Sequence, residues 1–130
     1  MTQSILTAVA PGELIDKITI LRIKNERISD AEKLKNVRIE LDSLNATRAE
    51  SVTESDELVR LDAALQSVNE ALWEIEDDIR DCERDSDFGQ KFIDLARAVY
   101  KTNDKRAALK KEINILLGSH IVEEKSYAEY

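Results

Sequence analysis

The sequence has one cysteine, one histidine, one proline and three glycines in 130 residues, and aromatics make up only 5 %. Each shortage excludes something. A lone cysteine, Cys82, cannot build a disulfide framework and fits a reducing compartment. A lone histidine, His120, cannot supply the paired Glu-x-x-His motifs of di-iron bundles. Nor does it lie near the G-x-S-x-G setting of a serine hydrolase. With so little glycine there is no phosphate-cradling loop. Few breakers beside 35 % charged residues describe an all-α protein. No run approaches the ~20 apolar residues of a membrane span, and residues 1–10 lack the features of a signal peptide. The expectation is a cytoplasmic protein that does not insert into membranes and carries no cofactor.

Charge is scarce in one sign and one place. Residues 54–87 carry thirteen acids but only Arg60, Arg80 and Arg84, whereas 12–50 are balanced and 88–130 carry eight bases against six acids. A net charge of −8 disfavours binding to a nucleic-acid backbone. It favours laying the acidic middle of the chain beside the more basic end.

What is present is periodicity. Leu58, Leu61, Leu65, Val68, Leu72, Ile75, Ile79 and Cys82 recur at alternating spacings of three and four, the signature of one helical seam. A second stripe runs Phe88, Phe92, Leu95, Val99, Thr102, Arg106, Leu109, Ile113 and Leu116. In the first part, Leu14, Ile18, Leu21, Asn25 and Ile28 do the same, widened by Ile15, Ile20 and Ile23. Pro11 suits a helix start there, and Glu13 and Asp16 complement the positive end of its dipole. Ser29 with Glu32 has the capping-box spacing and predicts a kink or break, after which Leu34, Val37, Leu41 and Leu44 continue. Asp87 with Gln90 has the same spacing, Thr53 or Ser55 suits the middle helix N-cap, and Gly118 suits a left-handed C-terminal cap.

These signals predict one helical domain over 1–130: an arm at 1–11, a kinked helix at 12–50, an acidic helix at 54–86, a last helix at 87–118 and a tail at 119–130. The architecture expected is an antiparallel bundle or hairpin assembly of three long helices with coiled-coil-like packing. The wide apolar face of the first helix and Trp73, placed at the flank of the seam, predict a homodimer.

Chemistry-bearing candidates are few. Thr102, Arg106 and Asn25 interrupt apolar seams. Three arrangements fit: a polar layer that fixes register, a splayed bundle that leaves Arg106 exposed, or an anion pocket in which Arg106, Thr102, Asn103, Arg22, Lys24 and Asn25 would grip a carboxylate or phosphate. Such a pocket requires these side chains to converge on one cavity. The acids Glu74 to Asp87 fan around a helix, so no metal site is expected. Glu54-x-x-Glu57 and Glu74-x-x-Asp77 mimic the paired acids of all-α nucleotide pyrophosphohydrolases. On one unbroken helix those pairs would stand ~30 Å apart and could not share a metal.

Three stretches carry a family resemblance: Pro11 to Ile28, Leu72-Trp-Glu-Ile-Glu76, and Tyr100 to Ala107 with Ile113 to Ser119 and Glu123 to Tyr127. Together they resemble a family of small, all-helical bacterial proteins known only as a domain of unknown function. The resemblance implies a gene setting beside glycosyltransferases or surface-polysaccharide enzymes, and it carries over no catalytic residue. Arg22, Lys24 and Arg106 are also similar to the cations of three-helix chorismate mutases, without that family's ordered motif. The expected function is a non-catalytic protein-interaction or scaffolding module, accessory to surface-glycan biosynthesis. The alternative is a small bundle enzyme or binder for an anionic metabolite.

Overall fold

In a computed structural model, which describes residues 4–130, the chain is all-helical among those residues. It forms four helices where three were expected: α1 (Pro11–Arg27), α2 (Ala31–Ser51), α3 (Asp56–Arg84) and α4 (Gln90–Leu116). The extra helix arises at the predicted kink. Ile28 and Asp30 both take extended backbone angles, so the helix ends rather than bends. The side chain of Asp30, not Ser29, caps the restart by accepting from the Lys33 N–H at 2.9 Å. The chain then reverses, and α2 packs along α1. Arg22 of α1 and Arg48 near the end of α2 consequently reach the same carboxylate, Asp62.

Helix α1 is the hub. It packs against α2, α3 and α4, and α3 packs against α4. Its buried residues Leu14, Ile15, Ile18, Leu21 and Ile23 point to more than one side, as a helix walled in on several faces requires. The apolar width that predicted a dimer face is thus spent inside the chain. The tightest core joins Ile15, Leu58, Leu61, Leu65 and Ile113, with Val52, Leu109 and Leu117 against it. Burying five such side chains contributes on the order of 10 kcal/mol before entropy is counted.

Helix α3 follows the seam without interruption. Ser55 is its N-cap, accepting from the Leu58 N–H at 3.1 Å. Its end is a Schellman turn: Asp87 N–H binds the Cys82 carbonyl and Ser86 N–H binds that of Glu83. Ser86 supplies the left-handed residue, at φ 54°, which glycine adopts far more readily. Helix α4 ends the same way with the expected Gly118, at φ 64°. Its start differs from expectation. Gly89 is the N-cap, and Asp87 accepts from the Gly89 N–H instead of capping the helix.

At 1.5 Å per residue α3 is about 43 Å long and α1 only about 25 Å. Toward the α3–α4 turn, α1 bonds α3 last through Arg27 to Glu74, at 3.4 Å. Beyond that point the seam loosens. Leu72, Ile75, Ile79, Phe92, Leu95 and Val99 are only half-buried, whereas Leu58, Leu61 and Leu65 are fully buried. Cys82, near the turn, is buried again. The outer half of the hairpin is therefore a two-helix arm.

Candidate functional site

Where α1 crosses α3 and α4, a polar knot replaces the apolar seam. The Asp16 carboxylate, 1 % exposed, accepts from Asn69 at 2.8 Å and from Arg106 Nε at 3.0 Å. Arg106 Nη2 closes the fork onto its second oxygen. Thr19 donates to the Asp16 carbonyl at 2.7 Å and accepts from Asn69 at 2.9 Å. Next along α4, Lys110 donates to Glu13 at 2.6 Å, and Asn114 accepts from the Gly12 N–H at 2.7 Å. That last bond caps α1 from another helix, since its own N-cap residue, Ala10, offers no side-chain acceptor. Every buried side-chain polar atom among the described residues has a partner.

The electrostatics follow from that pairing. Hydrogen bonding to Asp16 raises the Arg106 pKa against the opposing pull of burial. Burial acts to lower that of Lys110, but its bonds to Glu13 outweigh it and the result lies above the ordinary value. For Glu13, burial acts upward and the hydrogen bond and charge of Lys110 outweigh it, so its pKa falls. These shifts mark a satisfied ionic network that holds α1 in register against α4.

A second network joins α1, α2 and α3 further along the bundle. Asp62 accepts from Arg22 at 2.7 Å and Arg48 at 2.6 Å, and Arg48 also forks onto Glu54 at 2.9 Å. A shallow groove of about 560 Å³ beside it is lined by Arg22, Arg48, Gln66 and Glu70 among others. Glu54 lies in the connection before α3 rather than on it, and no break separates Glu57 from Asp77. The two acidic pairs therefore do not face one another. Among the described residues no three metal-ligating side chains gather.

The six residues singled out from the sequence are not brought to one place. Arg106 and Asn103 line a groove between α4 and the C-terminal segment. Arg22 serves the other network. Asn25 is exposed and accepts from Arg38 of α2 at 3.1 Å. Lys24 and Thr102 are half-buried on α1 and α4, and Trp73 is half-buried on α3. The partner of Arg106 is Asp16, which sequence patterning had assigned only to the helix dipole. A signal was there: Asp16 shares a stripe with Thr19 and Ile23 on a helix otherwise apolar on several sides. Asn114, Asp62 and Arg48 had no such signal.

Fold and knot together define a class, an all-helical bundle fastened by interhelical ion pairs. Its family is shown directly. The profile of the Family of unknown function (DUF6165) matches residues 5–130, and the chain belongs to that family. Comparison with curated proteins and with solved structures finds no match. No described helix is long and apolar enough to cross a membrane.

Proposed function

We propose that this protein is a non-catalytic interaction module that pairs with a second copy of itself through the outer half of the α3–α4 hairpin. The partly uncovered seam on that arm carries the proposal. Leu72, Ile75, Ile79, Phe92, Leu95 and Val99 stop at half burial, and Ile93 is 47 % exposed beside them. Two such arms laid together would complete a four-helix layer.

Charge supports a second copy as the occupant. Residues 74–87 hold eight acids against Arg80 and Arg84, while 90–105 hold four bases against Asp94 and Asp104. Arg80 and Arg84 are already spent on Glu76, Asp81 and Asp85 of their own helix. Among the described residues, Lys91, Arg97, Lys101 and Lys105 make no ion pair. A two-fold axis that sets α3 of one copy on α4 of the other satisfies both surfaces at once. The reading extends to a cytoplasmic module, which the lone cysteine supports, acting as a scaffold beside surface-glycan enzymes, which the family resemblance supports.

Light scattering on size-separated protein tests the self-association. The wild type should have twice the chain mass of 14.8 kDa. Ile93→Glu and Trp73→Ala should give monomers with unchanged helix content. A monomeric wild type at micromolar protein would refute the dimer.

A further inference from the structure

All three tyrosines of the chain, Tyr100, Tyr127 and Tyr130, line one groove. The groove measures about 1020 Å³ and lies between α4 and the C-terminal segment. That segment is fastened near both ends. At its start, Glu123 accepts from Lys110 of α4 at 3.4 Å, just after a local turn in which the Ser119 hydroxyl donates to the Ile121 carbonyl at 2.7 Å. At its end, the Tyr130 hydroxyl donates to Asp104 at 2.6 Å, and its ring meets Tyr100 edge-on at 5.3 Å. Between those points the groove is bounded by α4 on one side and by Lys125 to Tyr130 on the other.

The lining restricts what fits. All three tyrosines are exposed: Tyr100 by 43 %, Tyr127 by 77 % and Tyr130 by 78 %. Its polar groups are Asn103, Asp104, Arg106, Lys125 and Glu129. Arg106 has given two donors and its charge to Asp16. An anionic ligand would therefore face two carboxylates with Lys125 as the remaining cation. A plain hydrocarbon ring would leave the Asn103 amide, Glu129 and Lys125 without partners as it displaced their water. A neutral ring with apolar C–H faces and hydroxyl edges answers both constraints. Its C–H groups meet the electron-rich faces of the tyrosines, and its hydroxyls, donors and acceptors at once, meet the amide, carboxylates and ammonium.

We infer that this groove binds a neutral hexopyranose unit of a saccharide. The inference does not depend on self-association through the hairpin arm. Saturation-transfer NMR of the full chain with neutral methyl hexopyranosides and with hexose phosphates tests it. Saturation should reach the ring C–H protons of at least one neutral glycoside and bind it more tightly than its phosphorylated counterpart. Tyr100→Ala and Asn103→Ala, both near the surface, should each weaken binding about tenfold with unchanged helix content. Three results would overturn the inference: no transfer to any neutral glycoside, transfer undiminished by both substitutions, or preference for the phosphates.

Discussion

Replacing Arg106 with Met should unfasten α1 from α4. The change keeps most of the side-chain volume but removes both guanidinium bonds to Asp16, whose side chain is 1 % exposed. Truncating one partner of a buried pair costs roughly 3–5 kcal/mol, because the other charge stays desolvated. Two features place this case at the low end. Arg106 itself keeps 29 % of its side chain exposed, and Lys110 stands 4.0 Å from the same carboxylate and can move closer. We expect a loss of about 3 kcal/mol, a large part of the ~5–15 kcal/mol that holds an ordinary domain together. Urea unfolding followed by far-UV circular dichroism measures it, as a lower midpoint with unchanged slope. Asp16→Asn in the same chain should recover about 2 kcal/mol, since the stranded charge disappears while Asn69 keeps a partner. A loss below about 1 kcal/mol for Arg106→Met, or no recovery in the double variant, would refute the knot as the fastener of α1.

Other positions yield sharper single tests. Gly12→Ala should lose about 1–3 kcal/mol despite the better helix propensity of alanine. A Cβ there would fall on the Lys110 carbonyl oxygen and within 2.9 Å of Asn114 Oδ1. Ser86→Gly should gain up to about 1 kcal/mol by relieving the left-handed turn after α3, read as a higher melting temperature. The Glu13–Lys110 pair should shape the pH profile at both ends. Glu13 is held below its ordinary value of 4.5, so its contribution is present above that pH and lost as the pH falls through the lowered pKa. Lys110 is raised above 10.5, so its contribution is present below that pH and lost as the pH climbs through the raised value. Glu13→Gln should flatten the acid limb of a melting-temperature profile and weaken the alkaline one.

Local signals in the sequence were strong where one helix could be read alone. The spacing from Leu58 to Cys82 located α3, and Gly118 located the end of α4, because seam rhythm and a left-handed cap depend on near neighbours. The stretch from Ile28 to Asp30 predicts a kink or a break, and a count of three helices follows only from the kink. A cap restarts a helix in the same way whether the chain bends slightly or reverses, and what decides between them is the packing of α2 on α1. Arg106 stood out as a polar break in an apolar stripe, but its partner lies 90 residues away on another helix. Asp62 held between Arg22 and Arg48 is equally nonlocal, as is the gathering of Tyr100, Tyr127 and Tyr130 around one groove. Periodicity assigns residues to faces, and only tertiary packing says which faces meet.

Hydrogen exchange across a series of protein concentrations tests the hairpin-arm interface most directly. Pairing through the arm predicts that amides from Leu72 to Val99 gain protection as concentration rises. Those of α1 and α2, held within each chain, should not change. Protection independent of concentration, or a rise confined to α1 and α2, would contradict it.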